Sequence, residues 1–271
     1  MPELPEVETT RRGILPHVEG RVISDVAIHN RSLRWPVPHH FRRKVAGQKV
    51  ATVTRRAKYL LFQLTTGTFM LHLGMSGSLR VCRADEPRKK HDHVEFLIDD
   101  GSLLRFNDPR RFGSLLWLGN SPYDHKLLKH LGPEPFDNAF SGDWLFERSR
   151  GRKLAIKSFI MDARQVVGVG NIYANEALFL AGIRPGVAAG RVSRARYQRL
   201  AQAIIDRLQA SIEQGGTTLR DFVGSDGKPG YFKQSLYVYE RHEQPCRVCS
   251  TPIRHRQLNQ RSTYYCPACQ G

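Results

Sequence analysis

The sequence predicts a multidomain α+β chain: a first half of antiparallel strands, a second half of helices, and a short metal-bound tail. Three observations carry this. Between about residues 20 and 120, short β-prone runs recur between turn residues, and no helical period of comparable length interrupts them. Beyond residue 138 the apolar spacing changes to 3.6. Two Cys-x-x-Cys pairs then close the chain.

Taken in order, Pro5 and Glu6 are first-turn residues and open a short helix predicted to end near Gly13. The β-prone runs are Val22–Ile28, Val50–Thr54, Tyr59–Leu64, Phe69–Leu73, Val94–Ile98, Ser102–Phe106 and Ser114–Leu118, with Cys82 in a further strand-like segment. Repeated strands at this spacing argue for an antiparallel sandwich or barrel. Gly132-Pro133-Glu134-Pro135-Phe136-Asp137-Asn138 loses all period and reads as an interdomain connection. A short helix runs from Asn171 to about Gly182. Ser193 then caps a longer one, with Leu200, Ala203, Ile204, Leu208 and Ile212 on one face and Gly215-Gly216 as its stop. There is no internal repeat or low-complexity tract.

Charge narrows the function. The 271 residues include 42 Lys+Arg against 25 Asp+Glu, a formal +17, which in a chain with an ordinary apolar fraction indicates a folded protein with a polyanionic partner. Nucleic acid fits best, because the basic residues are spread through strands and helices instead of lining one amphipathic helix. No apolar run is long enough to span a bilayer, and the acidic N-terminus is unlike a signal peptide, so a cytosolic protein is expected. Four of five Cys sit in the C-terminal pairs, which suits metal binding in a reducing compartment better than disulfides. Cys82 reads as a small core residue.

Several segments carry chemistry. Cys246, Cys249, Cys266 and Cys269, with sixteen residues between the pairs, suit a closed tetrahedral shell around one structural Zn²⁺. The intervening segment has the length of a β-hairpin with a basic tip. At the other end, loss of Met1 would leave Pro2 as a secondary amine. An α-amino group titrates at about 7.7–8.0, so a useful fraction is unprotonated near neutrality, and Glu3 and Glu6 add carboxylates for proton transfer. The same residues, taken alone, also fit an ordinary frayed terminus.

Gly168-Val169-Gly170-Asn171 precedes a helix start, where backbone N–H groups and a capping Asn171 can meet a phosphate. Lys58 stands at a strand start, from which a long cation can reach into a cleft. Asp108-Pro109-Arg110-Arg111-Phe112-Gly113 is a turn bearing Arg and an aromatic, the side chains that wedge into a base stack, and Met75 between glycines is similar in kind. Each has an ordinary alternative as a packed or solvated residue.

In their order these segments closely resemble the bacterial formamidopyrimidine-DNA glycosylase family. The matches are Pro2–Glu8, Arg56–Leu60, His72–Gly77, Lys90–His93, Asp108–Gly113, Gly168–Ala174, Gly215–Leu219, and the Cys quartet with Arg261, spanning essentially the whole chain. The resemblance implies an N-terminal β-sandwich catalytic domain (1–133), a linker (134–150), a helix-two-turns-helix domain (151–231) and a zinc finger (237–271), with duplex DNA in a basic cleft between the halves. It implies a monomeric, bifunctional glycosylase and abasic-site lyase of base-excision repair, acting on 8-oxoguanine and formamidopyrimidines.

By the same resemblance Pro2 attacks C1′, Glu3 donates a proton, Lys58 serves β-elimination and Arg261 δ-elimination. Met75, Arg110 and Phe112 fill the void, with Arg110 facing the orphaned cytosine. His91, Asn171, Tyr239, Arg152 and Lys157 contact DNA, and the loop from Thr217, through Thr218, Leu219, Arg220, Asp221, Phe222, Val223 and Gly224, closes over the lesion. Arg152 and Arg220 stand where relatives often carry Lys. Two alternatives are an oxidised-pyrimidine glycosylase of the endonuclease VIII branch, from which Leu4 and the intact 108–113 turn point away, and a non-catalytic zinc-containing nucleic-acid-binding protein.

Overall fold

Glu3, in extended backbone, starts α1 (Leu4–Val18), which runs beyond the predicted stop at Gly13 because its buried face of Val7, Ile14 and Val18 continues past the glycine. The computed structural model describes residues 2–216 and 235–271. They fall into two units: residues 2–129 with 214–216, and residues 130–213 with 235–271.

In the first unit, β1 (Val22–Ile28) and the short α2 (Phe41–Val45) precede seven further strands. These are β2 (Gln48–Arg56), β3 (Tyr59–Leu64), β4 (Gly67–His72), β5 (Ser78–Arg83), β6 (Asp92–Ile98), β7 (Ser102–Asn107) and β8 (Ser114–Gly119). All ladders are antiparallel, in the order β5-β7-β6-β1-β2-β3-β4-β8. The link between the halves is thin: β1 meets β2 only at Val22↔Lys49 and Ile23↔Gln48. Four strands therefore fold over the other four, and Phe69 of β4 stacks on Phe96 of β6 at 5.5 Å between centroids. Phe41 of α2 packs edge-on against both rings. The expected antiparallel sandwich is thus present, with α1 and α2 contributing to its core. Cys82 of β5 is buried, and its thiol donates to the Leu103 carbonyl.

The second unit is helical: α3 (Gly142–Ser149), α4 (Ile156–Ile160), α5 (Asn171–Leu180) and α6 (Arg194–Glu213). Ser193 caps α6 through the Arg196 N–H, and Gly215 and Gly216 follow its end at positive φ. The hairpin β9 (Arg254–Leu258) and β10 (Arg261–Tyr265) completes the unit. Phe179, Val238, Cys246, Ile253 and Cys266 form a small core that joins the hairpin and its cysteines to α5. No described helix is long and apolar enough to cross a membrane.

Candidate functional site

The first unit presents its candidate residues on α1 and on turns between strands. Pro2 and Glu3 are buried, and the Glu3 N–H donates to Glu6 Oε2 at 2.8 Å, which fixes the first turn of α1. One turn on, Glu8 accepts from Arg11, Arg12 and Arg55. Burial alone would raise its pKa, but the hydrogen bonds and charges of these guanidinium groups hold the carboxyl below its ordinary value. Arg55 also donates to the Ala57 carbonyl at 3.1 Å. Ala57, with φ of 54°, makes the two-residue turn between β2 and β3, and Lys58 completes it. Glu8 therefore ties the start of α1 to the turn that carries Lys58.

His72 is a further residue of this site, with no signal in the sequence beyond its place in the His72–Gly77 segment. It pairs across the ladder with Tyr59, the two rings 4.9 Å apart, and its Nδ1 accepts from the Gly74 N–H at 3.0 Å. Burial, then the charges of Lys58 and Arg34, push its pKa down to about 4, so the imidazole is neutral near pH 7 with Nε2 carrying the proton. Signals for such a residue exist only once the register sets it beside the turn of Lys58.

Gly74 opens the loop that carries Met75. The guanidinium of Arg110 lies 5.1 Å from the centre of the Phe112 ring, and Phe112 is 40% exposed. Large exposed side chains on a tight turn suit insertion into a stack of flat rings. His91 follows the loop of Lys89 and Lys90. Its mooring is Asp92, which accepts from the Lys89 N–H, from Asn107 and, bidentately, from Arg80 at 2.9 and 2.8 Å. Burial opposes ionisation of Asp92, but these bonds and the Arg80 charge bring its pKa down to about 2. A cavity of about 570 Å³ lined by Gln63, Thr65, Thr68, Asn120, Tyr123 and Asp124 contains none of these residues.

In the second unit Asn171 does not cap α5 as expected. Gly170 is the N-cap, in extended backbone that leaves Asn171 as the first helical residue. The Asn171 Oδ1 is buried without a hydrogen-bond partner among the described residues. Asn175 and Glu176, two polar residues inside an otherwise apolar helix, do what the sequence did not reveal. Glu176 is fully buried and accepts from the N–H groups of Tyr237, Val238 and Tyr239 at 2.8, 2.9 and 3.0 Å, while Arg207 balances its charge at 3.2 Å. That fixes the backbone of Tyr239, whose ring meets Tyr264 edge-on. Arg152 is exposed beside Gly151, and its carbonyl accepts from Gly190.

The hairpin turns at Asn259 and Gln260, both at positive φ, the pairing that a two-residue hairpin turn matching strand twist requires. Arg261 follows at its exposed tip. Four bonds hold this hairpin: an exposed one from Asn259 to Ser158, one from the Tyr264 N–H to Asn175, and two from Lys157 to the Ser262 carbonyl and Thr263 hydroxyl at 2.7 and 2.8 Å. Lys157 is therefore a correction. It is 1% exposed and pins the strand of Arg261 from inside, rather than offering a surface cation.

The four cysteine Sγ atoms lie within 4.8 Å of one another. Separations of 3.9 Å for Cys246 to Cys269, and 3.4 Å from Cys249 to both Cys266 and Cys269, bracket the ~3.8 Å edge of a tetrahedron with Zn–S bonds of about 2.3 Å. The donor set fits one structural zinc and leaves no position for substrate. The loop residues 217–224 lie outside the described residues.

Comparison with known proteins covers the whole chain. Residues 1–115 match the formamidopyrimidine-DNA glycosylase N-terminal domain, 131–223 the formamidopyrimidine-DNA glycosylase H2TH domain, and 243–271 the zinc finger found in that glycosylase and isoleucyl-tRNA synthetase. The formamidopyrimidine-DNA glycosylase of Methylococcus capsulatus is 58% identical over 270 residues, and that of Hahella chejuensis 57%, with all of both chains covered. Among solved structures, the MutM (Fpg) protein of Thermus thermophilus aligns with a TM-score of 0.90 at 36% identity, covering 100% of this chain and 99% of its own. A Lactococcus lactis Fpg mutant in complex with Fapy-dG-containing DNA aligns at 0.92 and 30% identity, covering 99% of each.

Proposed function

Because this chain belongs to the formamidopyrimidine-DNA glycosylase family, we propose that it removes oxidised purines, 8-oxoguanine and formamidopyrimidines, from duplex DNA and cleaves the strand at the abasic site left behind. It is a bifunctional glycosylase and lyase of base-excision repair with one structural zinc. The observation that carries the reading is full-length identity of 58% to a curated member, on a chain that begins Pro2-Glu3 at the head of α1.

The division of labour is as follows. With Met1 removed, the Pro2 amine stands just before the first turn of α1, next to Glu3. Its lone pair forms the N–C1′ bond as the glycosidic bond breaks, and the electron pair of that bond leaves on the base. Glu3 supplies a proton during base loss and ring opening. The resulting iminium draws electrons from C1′ and acidifies the neighbouring C2′ proton, so the 3′ phosphate leaves by β-elimination and the 5′ phosphate by δ-elimination. Lys58 assists the first and Arg261 the second.

Met75, Arg110 and Phe112 fill the space left by the extruded nucleotide, with Arg110 reading the opposite cytosine. What supports this is the exposure of Arg110 and Phe112, the half-buried place of Met75 on the adjoining turn, and the resting of Arg110 on Phe112. His91, Asn171, Tyr239 and Arg152 hold phosphates. The loop of Thr217, Thr218, Leu219, Arg220, Asp221, Phe222, Val223 and Gly224 covers the lesion. The domain division carried into this reading is 1–133, 134–150, 151–231 and 237–271. The protein works in the cytoplasm, held on the nucleoid by its charge.

Incision of two duplexes tests the assignment, one with 8-oxoguanine opposite cytosine and one with thymine glycol. Faster cleavage of the first is expected. Preference for thymine glycol moves the chain to the endonuclease VIII branch, and binding without cleavage of either leaves a non-catalytic DNA-binding protein.

A further inference from the structure

We propose that Asp108 is a latch joining the loop of Met75 to the turn of Arg110 and Phe112, so that the three void-filling side chains enter the duplex as one rigid piece. The inference rests on the void-filling reading above and names a positioning residue for it. Asp108 is 0% exposed, and every polar atom it has is engaged. Its Oδ1 accepts from the Ser76 hydroxyl at 3.0 Å, and its Oδ2 from the Gly113 N–H at 2.7 Å. Its N–H donates to the His91 carbonyl, while its own carbonyl accepts from the Arg111 N–H and the His93 ring. One carboxylate thus bonds both loops, and one backbone unit ties them to the segment bearing His91.

The loops also meet backbone to backbone. Gly74 has φ of 68°, and a Cβ there would lie 2.4 Å from the Gly113 nitrogen and 2.5 Å from the Phe112 carbonyl carbon. Only glycine allows that approach. Neither loop can shift without carrying the other or breaking buried bonds to a carboxylate, which are among the stronger hydrogen bonds in a protein. The geometry has a functional consequence. Void filling by separately hinged side chains would tolerate a misplaced Arg110, whereas filling by one latched piece fixes where Arg110 meets the opposite base. Selectivity for cytosine is therefore set partly by Ser76 and Asp108, neither of which projects from the protein.

The test uses the full-length zinc protein and reads two quantities. One is the ratio of kcat/KM for 8-oxoguanine opposite cytosine to that opposite adenine. The other is incision of a preformed abasic site in single-stranded DNA, which needs the amine but no void filling. Ser76→Ala, which spares the Asp108 to Gly113 bond and the fold, is expected to lower the ratio about fivefold, and Asp108→Ala at least as much, with single-strand incision within about twofold of wild type. Asp108→Asn, whose amide can still accept from Gly113 and bond Ser76, is expected to restore the ratio.

A double-mutant cycle of Met75→Ala and Phe112→Ala supplies a second readout. Their effects on excision are expected to be coupled by about fivefold or more in wild type and to multiply independently in Ser76→Ala. An unchanged ratio and unchanged coupling in Ser76→Ala would overturn the latch, as would independent effects in wild type. If the wild-type protein fails to incise, or Arg110→Ala leaves the ratio untouched, the void-filling reading falls and the latch with it. If those controls hold, the latch stands or falls alone.

Discussion

In the first unit Lys58, Met75, Arg110 and Phe112 project from turns whose flanking strands run into a packed core of Phe62, Phe69, Phe96 and Phe106. In the second, Tyr239 and Arg261 stand on segments beside a small apolar cluster of Phe179, Val238, Cys246, Ile253 and Cys266, and buried polar side chains also hold them. Glu176 bonds three consecutive N–H groups, Lys157 bonds the hairpin strand, and four cysteines close the tail. Packing tolerates many apolar sequences and places a turn through strand register. Buried charges tolerate almost none, because an unpaired ion left inside costs several kcal/mol. The first unit thus places its candidate residues through turn geometry, and in the second the segments of Tyr239 and Arg261 depend on a few buried polar atoms.

The largest effect that separates the two comes from the metal. Structural zinc sites bind with apparent free energies of about 10–16 kcal/mol, so its removal unfolds what it holds. Chelation is expected to lower DNA affinity at least about a hundredfold. Hydrogen exchange should rise across β9, β10 and residues 237–239 and stay low in β1 to β8. Equal loss of protection in the sandwich would break the comparison. Next come single core substitutions. Phe69→Ala should destabilise the first unit by about 3–5 kcal/mol in chemical denaturation, and Glu176→Ala the second by a similar amount, since it strands Arg207 and three N–H groups. Only Glu176→Ala is expected also to weaken binding to undamaged duplex.

Acid sharpens the contrast with smaller effects. Asp92 has its folded pKa lowered to about 2 from 3.8, so the unfolded chain takes up the proton first. About 2 kcal/mol of first-unit stability is therefore present above pH 4 and lost as pH falls towards 2. His72, lowered to about 4, acts with the same sign at higher pH: its contribution is complete above pH 6.5 and lost as pH falls from there to 4. Denaturation at pH 7, 5 and 3 reads both, and Asp92→Asn should flatten the lower limb. The smallest effect is spectroscopic. The His72 ring is expected to show no titration between pH 5.5 and 7.5 in the folded protein, and Lys58→Met should raise its pKa only partway, because burial is the larger cause.

The same contrast explains what could be read from sequence. The sandwich, α5, α6 and the zinc hairpin announced themselves through alternation, helical period and Cys spacing, all consequences of local chain geometry. The strand β5 showed only as the strand-like segment of Cys82, because Ser78-Leu79-Arg80-Val81-Cys82-Arg83 alternates with arginine, and Arg80 pairs with the buried Asp92. Gly13 looked like a helix stop, yet the apolar face of α1 carries the helix past it. Lys157 was read as a DNA contact from the resemblance, and nothing in the sequence around Glu176 marks it as a buried pin. Buried polar pins have no sequence period. Their partners lie dozens of residues away, so they become visible only when the fold brings them together.

The proposed chemistry turns on the amine of Pro2 forming the covalent bond with DNA. Borohydride reduction of the protein with an 8-oxoguanine duplex, followed by intact mass measurement, tests it directly. A stable one-to-one protein–DNA adduct whose protein lacks Met1 is expected, abolished by an extra N-terminal residue and by Pro2→Gly. A wild-type adduct that persists undiminished when the N-terminal amine is blocked would contradict it.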